Sequence, residues 1–591
     1  MAAAAPAAVP QPLTLQGPKD NAICLGCHSI PGAVATRPGG KTVSITVSQA
    51  ELSASAHPDL SCTDCHQDVT QVPHGTVAPV RCQHCHYVSE IVTTRIPGQA
   101  PQPRYLSPHR SALMKGNRRA PRCADCHGAH DVQPASVRGS RAGRMHIAVA
   151  CGTCHPSEAG RYAESVHGRA LANGNPDVPV CSDCHPEHRR DVHEGRIPGI
   201  VTAGIVATCV ACHDDPGLQH RYAIPAGRLA SYLGSYHGAA TQLGESRTAN
   251  CASCHSAHLI LPARDPRSSV NKANLQRTCG KCHPRAGLQF AVGTVHLLPS
   301  PSRERALFWI KVAYQVFIGG LILSFVGYIG LDLLARLRKR ITAPPRPAEA
   351  EPHFERLTLN QRIQHWLLIA SFITLLVTGL PLSFPQSLLA RTMVTFLGGM
   401  GARAIIHRAA ALLLIALVAY HLHYALLSRR GNWELRQLVP RPRDALNVLQ
   451  MLRFYFGLST QRPRFDRYNY IEKFEYLAVG WGSVVMIASG ALLWTPSLSA
   501  LAPKWMMDIA LVVHSWEAIM AFLAIIVWHM YNVHSNPSVF PMSRIWLTGK
   551  IGLSELQENH PLEYERLIAR ARNVDAEDEE DEAAVSATEK P

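Results

Sequence analysis

The pattern of apolar positions changes once along the chain. From about residue 305 to 535, apolar residues run in five stretches, at roughly 308–334, 363–384, 404–427, 475–495 and 508–531. Each is long enough to cross a bilayer as a helix, which takes about 20 residues. Residues 1 to about 300 hold many Pro, Gly and His instead, and turns and loops are predicted for most of them. A chain of 591 residues is too long for one core, so several domains are expected. The boundaries read from composition are a mobile Ala/Pro/Gln-rich segment at 1–22, a Cys- and His-rich domain at 23–300, a first span with linker at 305–340, a membrane domain at 354–566 and an acidic disordered tail at 567–591. Arg336 to Arg340 follow the first stretch as "RLRKR", and the loop at 428–470 holds Arg429, Arg430, Arg436, Arg441, Arg443, Arg453, Arg462, Arg464 and Arg467. Positive loops stay cytoplasmic. The first half is then expected outside and the C-terminus inside.

Candidate chemistry enters with the phrase Cys-x-x-Cys-His, written nine times. Its first cysteines are Cys24, Cys62, Cys82, Cys123, Cys151, Cys181, Cys209, Cys251 and Cys279. Its second cysteines are Cys27, Cys65, Cys85, Cys126, Cys154, Cys184, Cys212, Cys254 and Cys282. Its histidines are His28, His66, His86, His127, His155, His185, His213, His255 and His283. Nine copies use all eighteen cysteines. The phrase is the attachment signature of c-type haem. Two intervening residues set both sulfurs along one porphyrin edge, and the following histidine falls under the iron. Zinc ribbons share the paired cysteines but need no histidine after each pair. A thioredoxin-like motif normally appears once, beside a βαβ pattern absent here, and a disulfide framework needs no such uniform spacing. Nine covalent haems c are expected.

A two-haem module repeats three times. His109, His167 and His237 each lie fourteen residues before a motif, His130, His188 and His258 each follow a motif histidine by three, and a second motif comes twenty-eight residues after the first. The words after "SxH" are predicted short helices. What fills the second axial position of each iron decides between electron transfer and chemistry at the metal. Nine histidines are candidates: His57, His74, His109, His130, His167, His188, His237, His258 and His296, with His84, His146, His193 and His220 as spares.

The formal charge of +15 invites a nucleic-acid reading. Haem propionates, which the count omits, outweigh it, so no nucleic acid is expected and the basic residues read as propionate partners and membrane flanks. Covalent haem c is attached outside the bacterial inner membrane, so the first half must be exported. The start, Met1-Ala-Ala-Ala-Ala-Pro, lacks the basic and apolar regions of a signal peptide, and a removed or truncated signal is expected.

Histidines inside spans are costly and usually functional. His407 and His421 share one span, fourteen residues apart, and His514 and His529 another, fifteen apart. Each pair falls roughly on one helix face with its members about 21–22 Å apart, enough for one haem near each leaflet. His365 opens the second span. Glu517, three residues after His514, shares its face and is a candidate base for the protons of a quinol.

The stretches "RIQHWLLIASFITLLVTGL", "IIHRAAALLLIALVAYH", "VVHSWEAIMAFLAIIVWHMY" and "NHPLEYER" resemble the di-haem cytochrome b subunits of formate dehydrogenases and nickel–iron hydrogenases, over about 354–566. The whole arrangement resembles inner-membrane quinone oxidoreductases of metal-reducing bacteria that fuse a nine-haem cytochrome c to such a domain. The resemblance implies two haems b, with His407 and His514 on the outer one and His365 and His529 on the inner. Two departures stand out. The last pair is fifteen apart where fourteen is typical, and His421 sits where a cytochrome-bc-type subunit places a ligand, which makes it the substitute for His365. The expected fold is mainly α: a loop-rich multihaem domain fused to five spans, four of them a di-haem bundle. The function implied is oxidation of menaquinol in the membrane, with electrons passing to a periplasmic c-type cytochrome or other redox partner. A periplasmic oxyanion reductase and a non-catalytic electron-transfer anchor for a separate dehydrogenase or reductase are the alternatives.

Overall fold

A computed structural model describes residues 13–14, 21–36, 42–86, 108–185, 202–284, 304–342, 352–494, 502–537 and 539–569, with isolated positions between 287 and 302. The segments predicted to be mobile at the start and disordered at the end lie mostly outside these residues. The five apolar stretches are helices: Arg305–Thr342, Leu359–Ser383, Gly399–Leu427, Tyr470–Trp494 and Lys504–Ala524, the last continued by π-helical turns to Ser535. All five are long and apolar enough to cross a membrane. Each begins three to five residues before its apolar run. Thr358 accepts from the Gln361 amide at 3.3 Å while Gln361 Oε1 accepts from the Thr358 amide at 2.9 Å, a reciprocal cap that opens the second span. The second span packs on the third, the fourth on the fifth, and the first along the fifth. The end of this bundle near Arg305 and Gly399 is called outer below, and the end near Leu359 and Tyr470 inner.

The basic loop at the inner end folds into helices Arg429–Leu438 and Pro442–Tyr455. Two of its neighbours' charges are buried. Arg467 donates to Glu434 at 2.8 Å and Glu563 at 2.7 Å, and Arg356 donates to Glu563 at 2.6 Å. His560 joins them through Nδ1 and the Asp466 carbonyl at 2.8 Å. The "NHPLEYER" word is thus part of a buried ion-pair clamp that fastens the chain after the last span to the segments before the second and fourth. A short strand, His353–Glu355 on Lys550–Gly552, runs alongside.

In the first half few side chains are buried. Among the described residues Ile147, Leu171 and Val180 form one small cluster. Some motifs make a single helical turn of their own, and in three of these the second variable residue explains why. In Cys62–Cys65, Cys123–His127 and Cys181–Cys184 it is Asp64, Asp125 or Asp183, accepting from the backbone amide just before the first cysteine at 2.9, 2.7 and 2.8 Å. The helices expected after "SxH" are present as Pro108–Met114, Val166–Ala172 and Tyr236–Gln242. Ser165 and Ser235 cap two of them by accepting from Gly168 and Gly238. A Cβ at those glycines would meet the Tyr162 or Tyr232 carbonyl at 2.0 Å, so the first turn of each of these two helices needs glycine.

The chain divides into two compact units, Met1–Cys212 with Ala249–Asn274, and His213–Thr248 with Leu275–Pro591. The division falls inside the cysteine-rich half instead of near residue 300. Its physical reason is local: Ala240, in helix Tyr236–Gln242, is buried in a cluster with Val394 and Met400 of the membrane half.

Candidate functional site

Among the described residues of the first half, histidine rings face each other in the following six pairs. Their centroids are 5.8 Å apart for His28 and His74, 5.7 Å for His57 and His86, 6.2 Å for His66 and His130, 6.1 Å for His109 and His155, 6.0 Å for His185 and His258, and 6.1 Å for His237 and His283. A metal bonded to one nitrogen of each ring at about 2 Å leaves the centroids roughly 6 Å apart. Every pair joins a motif histidine to one of the predicted distal candidates. Nδ1 of His28 is occupied by the Ile45 carbonyl at 2.7 Å, which leaves Nε2 for a metal. Burial, and then the partner ring, pushes His66, His185 and His237 below the ordinary histidine range, toward the neutral form that ligates.

The pairing follows the module, not the sequence order. His109 and His237 partner the second motif of their own unit. His258 partners the first motif of the preceding unit, and His130 partners the second motif of the chain, which lies before the units begin. His127, His213 and His255 close the helices Cys123–His127, Thr202–His213 and Cys251–His255, and His167 lies in Val166–Ala172. His296 meets Ser231 at 2.9 Å. His188 lies outside the described residues. The spare His84 bonds the Gln67 side chain at 3.0 Å.

Thiols of successive motifs interact: Cys24 with Cys62, Cys65 with Cys85, Cys82 with Cys123, Cys151 with Cys181, Cys184 with Cys212 and Cys209 with Cys251. Groups attached there would follow one another closely. Beside Cys151 lies an open cleft of about 560 Å³ lined by Met145, Val149, Gly152, Ala159, Gly168 and Leu171, an apolar wall of the kind haem requires.

In the bundle the sequence candidates separate. His407 and His514 face each other with centroids 6.5 Å apart. Thr378 Oγ1 holds Nδ1 of His407 at 2.7 Å, and Ser489 Oγ holds Nδ1 of His514 at 2.9 Å. The residue after each hydroxyl is glycine. A Cβ on Gly379 would lie 3.3 Å from His407 and one on Gly490 3.1 Å from His514, so both rings rest on bare backbone. The two halves of the bundle repeat one device, a hydroxyl–glycine pair on one span holding a histidine on the next. Paired rings, hydroxyl-fixed Nδ1 atoms and glycine cradles fit haem b.

At the inner end, His365 and His529 interact electrostatically, and His529 Nδ1 meets Glu475 Oε2 at 3.0 Å. The π-helical turn Ile525–His529 explains the spacing of fifteen, because it absorbs the extra residue that would rotate His529 away from the face of His514. His421 is engaged on both nitrogens, by Gln364 Oε1 at 2.8 Å and the Tyr476 hydroxyl at 2.9 Å. It is a hydrogen-bonded core histidine, and the structure speaks against it as the substitute ligand.

Glu517 is buried, 4% exposed, and accepts from the Tyr314 hydroxyl of the first span at 3.1 Å. A second buried carboxylate escaped the sequence reading. Asp332, 3% exposed at the inner end of the first span, accepts from Tyr455 at 2.5 Å and Tyr531 at 2.9 Å, and Tyr455 is within 3.4 Å of Tyr328. Its signal was plain: an acid inside an apolar run. The same signal marks Glu475. Thr378 and Ser489 carried only a weak one, a hydroxyl–glycine step.

The prokaryotic cytochrome b561 family matches residues 356–537, and the cytochrome c3 family matches residues 54–156. The cytochrome c-type protein NrfB of Escherichia coli O6:H1 is 26% identical over 152 residues, which are 24% of this chain and 71% of that protein. A cytochrome c segment and a cytochrome b segment therefore occur in one chain, which supports a multihaem c-type cytochrome fused to a b-type membrane cytochrome, an electron-transfer protein of the oxidoreductase type.

Proposed function

We propose that the protein oxidises a quinol of the menaquinol class within its membrane bundle and delivers the electrons to a periplasmic acceptor, in respiration that leads out of the cell. Nine haems c and two haems b, once bound, would supply one-electron storage at closely spaced irons. The observation that carries the reading is the facing of histidine rings at similar separations, 6.5 Å in the bundle and 5.8 and 6.1 Å in the first half. Two histidines per site leave no iron position open, which favours electron transfer over the reductase reading at these sites. The arginine-rich inner end supports a cytoplasmic C-terminus in an inner membrane.

A quinol becomes a quinone by losing two electrons and two protons, and a base must take the protons. Glu517, with Tyr314 as its hydrogen-bond partner, is the candidate at the outer end. A second reading puts the quinol at the inner end. The Asp332 carboxylate, bonded by tyrosine hydroxyls from two other elements, favours it. Glu517→Gln and Asp332→Asn, made separately in the full chain, test both. Quinol oxidation slowed at least tenfold in Glu517→Gln, with both haems b bound and reducible by dithionite, supports the outer site. The same loss in Asp332→Asn alone moves the site inward, and normal turnover in both overturns a role for either carboxylate.

A further inference from the structure

The outer and inner histidine pairs of the bundle differ in the charge around them. At the outer pair both Nδ1 atoms meet neutral hydroxyls, Thr378 and Ser489. Two guanidiniums, Arg403 and Arg408, lie close enough to act on His407. Arg403 is 5% exposed, and its Nη1 donates to the Thr378 carbonyl at 2.6 Å. It stands one helical turn before His407, so its charge shares the site's face.

At the inner pair the neighbour is an acid. Glu475 Oε2 accepts from His529 Nδ1 at 3.0 Å. Its other oxygen is buried with no hydrogen-bond partner. No other described donor draws on that oxygen, so the imidazole faces a carboxylate little neutralised by the protein. Lys473 is two residues away but is bound to Asp444 at 2.9 Å.

A carboxylate accepting from an imidazole N–H makes the ring a stronger electron donor to its metal and favours the oxidised, more positive state. Fixed cations favour the reduced state. The two effects act at opposite ends of one bundle and push the same way. We propose that Glu475 is a positioning residue that sets the inner b site at a lower reduction potential than the outer, so that electrons run from the inner end outward. The proposal rests on the reading that His365 with His529 and His407 with His514 hold haems b. Haems held by these two pairs would pass one electron from the inner site to the outer, one iron losing what the other gains, with no bond or proton exchanged. A fall in this direction also favours the inner end, beside Asp332, as the place where quinol supplies the electrons.

The test is an optical redox titration of the purified, haem-loaded full chain, resolving the two b transitions from those of the c haems. His529→Ala should remove the lower-potential b transition and His407→Ala the higher. Glu475→Gln should raise the lower b potential, bring the two transitions closer and leave the higher one in place. Glu475→Asp should restore much of the gap, which a merely structural role would not do. The electron paramagnetic resonance g values of the inner haem should shift in Glu475→Gln toward those of the outer. If Glu475→Gln loses the inner haem, Arg408→Gln still decides, because it should lower the higher potential and narrow the gap. Both potentials unchanged in Glu475→Gln and Arg408→Gln, or the lower potential vanishing in His407→Ala, would overturn the proposal. Retention of both haems b in His529→Ala would instead overturn the ligand reading beneath it.

Discussion

At the residue scale, the spare hydrogen-bond capacity of an imidazole decides its role. A ligand needs a nitrogen left open to its metal. His407 and His514 have that state, with Thr378 and Ser489 on Nδ1. His421 lacks it, since Gln364 and Tyr476 take both nitrogens. His421→Ala is therefore expected to leave both haems b bound and to cost stability only through two lost buried hydrogen bonds, about 1 kcal/mol each. His365→Ala should lose one haem b. The pyridine haemochrome spectrum of membranes carrying each variant checks both, and the reverse outcome would reinstate His421 as the ligand.

At the element scale, the π-helical turns and the inner-end clamp do work that helical periodicity does not foresee. The insertion at Ile525–His529 brings His529 onto the face of His514 and carries Tyr531 to Asp332. The clamp ties the segments around Arg356, Glu434, Arg467 and Glu563. Burial alone would raise Glu434, yet the Arg467 hydrogen bonds hold its carboxyl below the ordinary value of 4.5. Burial holds His560 below its ordinary 6.5. Both groups bind protons less readily folded than unfolded, so their contribution is complete above those unfolded values and is lost as pH falls through the folded ones. Thermal unfolding of the detergent-purified protein should show a falling midpoint as pH drops below about 6.5, with a further fall through the carboxylate range. In Glu434→Gln the second fall should shrink; an identical pH profile in that variant would remove the clamp from the account.

At the scale of the whole molecule, the paired rings and the neighbouring thiols of successive motifs support a chain of closely spaced haems. The purified protein is expected to carry nine haems c that survive acidified acetone and two haems b that do not. A haemochrome ratio far from nine to two would contradict it. All nine should be low-spin. The interleaved pairing makes a sharper demand: His130→Ala should convert the haem of the second motif, at His66, to high spin, while the fourth motif, three residues away from His130 in sequence, keeps its spin state. Electron paramagnetic resonance with the histidine of each motif changed in turn identifies which haem responds.

Some of this was legible because it is written in local pattern. A thioether attachment needs five adjacent residues, a span needs one apolar run, and a motif turn needs its own capping Asp. The spans, the fold class and the helices after "SxH" could therefore be read from the chain directly. The expectation that a carboxylate or a histidine in a span is functional was equally local, and it singled out Glu517 while passing over Asp332 and Glu475. Facing histidines are a different kind of fact. His66 and His130 meet across sixty-four residues, and His185 and His258 across seventy-three. No spacing rule selects those pairs from thirteen non-motif candidates. The choice between His365 and His421 turned on which nitrogen the packing leaves open. A sequence records which side chains carry chemistry, and only the folded chain decides which of their atoms are already spent on hydrogen bonds and which remain to meet a partner.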